Sequence, residues 1–190
     1  MNKQQNEKMQ QYLSILVGQP LCFLFRCMDM LCFQFGDIID KPVMSIDESG
    51  NIVRVQEKAG SYSLHAQSSY RMICSNEIMF AKGDYYQPSS EALEKMGIHE
   101  DDDLPDDFDC SIPGSNRLDE IIQSKFASLD GFTVQSVSIN RLGDVRIKFC
   151  NGYELQTMVD VSGAEECWRF FRAGDEDHVV VTGEGLAVNE

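Results

Sequence analysis

Basic residues are scarce in this chain: 16 lysines and arginines stand against 31 aspartates and glutamates over 190 positions, a formal charge of −15. Such a surface repels phosphate backbones and no basic cluster offsets it, so nucleic-acid binding is not expected. Long apolar runs are also missing. The longest, at 21–35, is broken by Arg26 and Asp29 and is too short to span a bilayer, so no membrane contact is expected. The opening residues, MNKQQNEKMQQYLSILVGQP, are polar where a secretory leader is apolar, and the seven cysteines form no even set. Both features predict a cytoplasmic protein with reduced thiols.

Signatures of chemistry are equally thin. Cys22, Cys27 and Cys32 recur every five residues, which matches no zinc spacing. The carboxylates between Glu100 and Asp109 lack the glycine and terminal glutamate of a calcium loop. The glycines in VTGEG at 181–185 are followed by neither a helix nor Lys-Ser/Thr, so they do not form a phosphate loop. No metal and no cofactor are expected.

What is present is a pattern of short periodic segments. Met9, Tyr12, Leu13 and Leu16 make a helical stripe over 6–17, stopped by Gly18 and Pro20. LCFLFRC (21–27) and MLCFQFG (30–36) read as two paired strands, apolar on both faces and therefore placed centrally in a sheet. Residues 40–60 read as a loop or edge hairpin around Ser49-Gly50, followed by strands at 61–67, 69–74 and 77–83. A second helix spans 116–129, capped by Asn116 and ended by Asp130-Gly131. Five strand-like runs follow, at 132–139, 144–150, 153–159, 167–172 and 178–183. Asn151-Gly152 predicts a type I′ hairpin, in which both central residues take positive φ.

The two parts repeat one order of elements. Gly60-Ser-Tyr62-Ser-Leu64 matches Gly152-Tyr153-Glu-Leu155, and Tyr70-Arg71-Met72-Ile73 matches Trp168-Arg169-Phe170-Phe171. The expected architecture is α+β, with two similar helix-plus-antiparallel-sheet halves packed around a pseudo-two-fold axis in a single domain, 1–190. The halves are 1–86 and 115–190, joined by an acidic connector at 87–114 that carries seven carboxylates between Glu100 and Asp109. Without an apolar period, that run predicts an exposed connection.

The runs DMLCFQFG (29–36), YSLHAQ (62–67), DYYQP (84–88), NRLD (116–119) and WRFF…HVVVTG (168–171, 178–183) carry a family resemblance. On them, the chain resembles a family of small uncharacterised acidic bacterial α+β proteins. The likeness covers most of the chain and departs at Cys32 and Tyr70, where larger aromatics are expected. It implies an α+β fold, a bacterial cytosol and no particular activity.

Candidate residues fall into two groups. Arg71 and Arg169 follow aromatics at matching positions of the repeat, and a planar guanidinium there can grip a carboxylate or phosphate. His178 lies beside Asp175, Glu176 and Asp177, a setting in which imidazole can serve as a base. The second group is Asp101, Asp102, Asp103, Asp106 and Asp107 of the connector, suited to a basic surface. The sequence thus favours a non-enzymatic binding or regulatory protein, of inhibitor or immunity type, with a basic protein partner. The alternative is a small-ligand binder or enzyme using Arg71, Arg169 and His178 in a cleft between the halves. Self-association through a sheet edge is the third option.

Overall fold

The computed structural model describes residues 1–46, 49–99, 102–175 and 178–187. The described residues form an α+β fold of three α-helices and two antiparallel sheets. No described helix is long and apolar enough to cross a membrane.

Helix α1, Lys3–Leu13, starts earlier than its apolar stripe because Asn2 and Gln5 form a reciprocal cap, each side-chain oxygen accepting the other's backbone N–H at 2.9 Å. A single tight turn, Ser14–Leu16, extends it, and Met9, Leu13 and Leu16 are buried. Strands β1 (Leu21–Cys27) and β2 (Met30–Ile46) follow, then β3 (Ile52–Ala66), β4 (Tyr70–Cys74) and β5 (Glu77–Ala81). Helices α2 (Ser90–Met96) and α3 (Arg117–Lys125) precede β6 (Val134–Ile139), β7 (Val145–Phe149), β8 (Tyr153–Thr157), β9 (Glu166–Arg172), β10 (Val179–Thr182) and β11 (Gly185–Ala187).

One sheet has the order β1-β2-β3-β9-β10-β11 and the other β5-β4-β8-β7-β6. The chain passes from the first to the second between β3 and β4, and returns between β8 and β9. The two crossings are tied together: Ser68 Oγ donates to Met158 O at 2.6 Å, and Met158 N–H donates to Ser69 O at 2.8 Å. At the other end Leu21 N–H donates to Phe132 O and Val134 N–H to Gln19 O, joining the starts of β1 and β6. One core lies between, drawing Leu31, Phe33, Leu64 and Trp168 from the first sheet and Tyr70, Met72, Ile147 and Leu155 from the second.

Two strand expectations are corrected. The run 21–27 is the edge strand β1, not a central one. It is apolar because α3 and the core cover it, not because a strand flanks each side. The turn at Asn151-Gly152 is not type I′, since Gly152 has φ +87 but Asn151 is not among the residues with positive φ. The hairpin with both central residues left-handed is Ser75-Asn76, at φ 51 and 67 between β4 and β5. The other edge, β6, is sealed by α1: Gln10 Nε2 donates to Val137 O and Gln10 Oε1 accepts Ile139 N–H, as a neighbouring strand would.

The stretch at 40–60 is neither a loop nor a short edge hairpin. β2 and β3 stay paired from Ile38↔Gly60 to Ile46↔Ile52, nine pairs, past the ends of β1 and β9. A register shift at Gly36, φ +87, re-aims this ribbon at its base.

Candidate functional site

The acidic connector is a folded lobe closed at its base. The chain leaves at Gln87 and Pro88 and returns at Asn116 and Arg117, where Arg117 N–H donates to Gln87 O and Ser89 N–H to Ser115 O, both at 2.8 Å. Ser89 caps α2 by accepting the Ala92 N–H, and its hydroxyl donates to Gly114 O. Gly97, at φ +68, ends the helix. The run of carboxylates without an apolar period reads in sequence as an exposed connection, and its helix α2, Ser90–Met96, buries no residue fully.

A buried ion pair holds the return of the lobe. Arg26 Nε and Nη2 donate to Asp119 Oδ1 and Oδ2 at 2.6 and 2.7 Å, and Nη2 also donates to Ser111 O and Ile112 O. Asp119 accepts further bonds from Gly114 N–H and Asn116 Nδ2. The bond to Asp119 raises the Arg26 pKa, against the opposing effect of burial.

Two grooves flank α2. One, of about 430 Å³, has Met96, Phe108, Ile112 and Pro113 on its walls, with Asp107, Asp109 and the Glu91–Lys95 pair around them. The other, of about 440 Å³, lies between α2 and α3 with Leu93, Leu104 and Ile121, beside Asp102, Glu120, Arg117 and Lys125. Asp102, Asp103, Asp106 and Asp107 are exposed. Asp102 accepts the His99 N–H at 2.7 Å. Asp109 accepts the Ser111 N–H, and its bonds to Ser111 hold that carboxyl below the usual range. Asp101 lies outside the described residues.

The structure brings Arg169 and His178 together but places Arg71 elsewhere. Arg169 lies opposite His65 across β3 and β9, and its guanidinium pairs with Glu166 at 2.6 Å. Phe171, on the same face, stacks on His178 at 4.1 Å and meets His65 edge-on at 4.9 Å. Glu176 and Asp177, beside His178 in sequence, lie outside the described residues. Arg71 is on the five-stranded sheet, donating to Gln156 at 2.8 Å and lining a hollow of about 380 Å³ with Ser138, Asn140 and Arg146. The three residues do not converge on one cleft.

Both histidines are held neutral near pH 7. Burial, then the charge of Arg169, pushes His65 down to about 4, and the same two causes lower His178. Because the folded-state pKa of His65 lies below its unfolded value of about 6.5, its contribution to stability is complete above that pH. The contribution is lost as pH falls from about 6.5 to 4. Discounted for partial exposure, this is on the order of 1–3 kcal/mol. Urea midpoints at pH 7 and 4.5 should therefore differ less for His65→Gln than for the parent; equal differences would refute the assignment.

The seven cysteines are free, and burial pushes the Cys32 thiol up to about 12. No group of three or more metal-ligating side chains occurs among the described residues. No protein-family model matches the chain, and no curated protein or solved structure matches it either.

Sequence reasoning missed the Arg26–Asp119 pair and the apolar walls of the lobe. An arginine inside an aromatic run was a usable signal, since a charge on a covered strand needs a partner. Phe108 and Ile112 carried none, being isolated among acids and prolines.

Proposed function

We propose that this chain is a binding protein whose lobe, residues 88–116, receives a basic and partly apolar segment of another protein. The observation that carries this reading is the groove beside α2, where Met96, Phe108 and Ile112 lie within a rim of Asp107 and Asp109, with Glu91 paired to Lys95 at 2.6 Å. An apolar floor supplies affinity and an acidic rim supplies steering and selectivity, the division of labour expected of a recognition surface. Asp103, Asp106 and Asp107 make no ion pair with described residues, so their field remains available to a partner. A cytoplasmic setting and the resemblance to acidic bacterial α+β proteins accord with this reading.

The test is the association rate of a basic partner captured by salt-eluted pull-down, measured at two ionic strengths. Replacing Asp101, Asp102, Asp103, Asp106 and Asp107 with Asn should leave folding unchanged, slow association by about tenfold at low salt, and flatten its salt dependence. An unchanged salt slope removes the lobe from the functional account.

We also propose that 1–86 and 115–190 are copies of one unit related by a pseudo-two-fold axis. Strand order supports this, because β1-β2-β3 continues into β9-β10 as β6-β7-β8 continues into β4-β5. Register supports it too. Phe35 opposes Tyr62 as Lys148 and Glu154 oppose one another just before Phe149 and Tyr153, and each first strand carries a bulge after its first paired residue, Leu21 or Val134. The β2–β3 ribbon is then an insertion where the second copy has only the turn at 150–152. Failure of β1–β5 to superpose on β6–β10 in a crystal structure would overturn the duplication.

A further inference from the structure

Val145, Ile147, Leu155 and Met72 turn one face of the five-stranded sheet into the core, and the residues alternating with them stand on the other. There Ser138, Arg146, Gln156 and Arg71 follow one another strand by strand, each opposite the next. With Asn140 and Met158 they line the hollow of about 380 Å³. Gln156 lies between the two arginines and ties them together. Its Oε1 accepts Arg71 Nε at 2.8 Å, and its Nε2 donates to Glu154, whose carboxylate holds Arg146 Nε at 3.0 Å. Arg71 is half-buried, yet its terminal nitrogens bond no described residue and it pairs with no described carboxylate. The other half-buried arginines, Arg26 and Arg169, each grip a carboxylate. A guanidinium partly removed from water without a counter-charge is costly, and an anion bound there offsets the cost.

We propose that this hollow, apart from the lobe, binds a phosphate group through the terminal nitrogens of Arg71 and Arg146 and the Ser138 hydroxyl. Strands about 4.8 Å apart put the two arginines roughly 10 Å from one another across β8, so that both long side chains reach one ion. Two planar guanidiniums match the geometry and the double charge of phosphate better than the single charge of a carboxylate. The group is either free phosphate or the phosphate end of a small metabolite, for whose body the hollow has room.

The charges around the hollow permit this. Arg71, Arg146 and Lys148 on the face, with Arg141 in the turn before β7, stand against Asp144, Glu154 and Asp160. β5 adds only Ala81 and Ile78 on this side. The acids are engaged: Asp144 accepts Asn140 Nδ2 and Val159 N–H, both at 2.8 Å, and Asp160 accepts the Ser69 N–H at 2.9 Å. Base thus leads here, although the whole chain has about two acids to each base. At physiological salt, charges beyond about 8 Å are largely screened, so a small ion responds to this local balance. A nucleic-acid strand spans many such lengths, meets the whole acidic surface and is repelled.

The experiment is a nuclear magnetic resonance titration of the nitrogen-15-labelled full chain with sodium phosphate, ionic strength being held constant with sodium chloride. Saturable shifts at Arg71, Ser138, Arg146 and Gln156 are expected, with a dissociation constant on the order of 1 mM. Glycerol 1-phosphate as a second titrant separates the two sources: tighter binding than phosphate marks a metabolite, equal binding the free ion. Arg71→Gln should weaken binding about tenfold and Arg146→Gln about threefold, by loss of charge-assisted bonds. Gln156→Leu keeps every charge but releases Arg71, and should also weaken binding severalfold. Lys8→Gln, an exposed change of equal charge on α1, should leave it unchanged. These side chains point away from the core, so circular dichroism should keep the parent spectrum in every variant. No saturation up to about 50 mM phosphate, binding that survives Arg71→Gln, or an equal loss for Lys8→Gln overturns the proposal.

Discussion

Replacing Arg26 with leucine is expected to cost about 3–5 kcal/mol, because it leaves the Asp119 carboxylate buried without its counter-charge. The two side chains are only 8% and 10% exposed, so water cannot take over the lost bonds. Arg26 also ties Ser111 O, Ile112 O and Met28 O, linking the β1–β2 turn to the returning segment of the lobe. The loss should appear in urea unfolding followed by circular dichroism. The double variant Arg26→Leu with Asp119→Leu should recover part of it by removing the orphaned charge. A single-variant loss below about 1 kcal/mol would mean that the pair behaves as an exposed one.

Trp168→Ala is expected to cost about 3–5 kcal/mol as well, through a different mechanism. Trp168 is fully buried on β9 opposite Val181, and its indole N–H donates to Gly143 O at 2.8 Å in the turn between β6 and β7. Alanine there leaves a large cavity where the two sheets meet and strips Gly143 O of its donor. Phenylalanine fills most of the volume but not the bond, so Trp168→Phe should retain most of the packing and lose about 1–3 kcal/mol. Backbone circular dichroism is the appropriate probe, since the only tryptophan is being removed. Equal losses for the two variants would show that the bond, not the packing, dominates.

The strands were legible where alternation and turn residues agreed, as at β7 and β8, flanking Asn151-Gly152. The end of α1 was legible from Gly18 and Pro20, but its start was not, because a cap at Asn2 needs no apolar neighbour. Which strand is central and which is an edge was misread at β1: a helix covering a strand leaves the same apolar signature as a second strand. The ribbon was misread because its exposed side carries Ile38, Met44, Ile46 and Ile52 while Ile39, Val43, Val53 and Val55 take the other, which blurs the apolar-polar alternation that marks a sheet.

The site was less legible still. Acidity of the lobe could be read directly, whereas the groove depends on Phe108, Ile112 and Met96 meeting across a loop. Arg71 and Arg169 were matched by their neighbours in sequence, and they lie on different sheets because each sheet takes strands from both ends of the chain.

That interleaving has a consequence for synthesis. β3 finds its partner β9 about a hundred positions later, as in Tyr62↔Arg172. Distant pairings of this kind slow a folding search, placing closure on the millisecond-to-second scale typical of chains rich in non-local contacts. A ribosome that has released the first 130 residues has delivered β3 and β4 without their partners β9 and β8. Until the remainder emerges, both strands carry an open edge. The nascent chain should therefore depend on holding chaperones more than its modest length suggests.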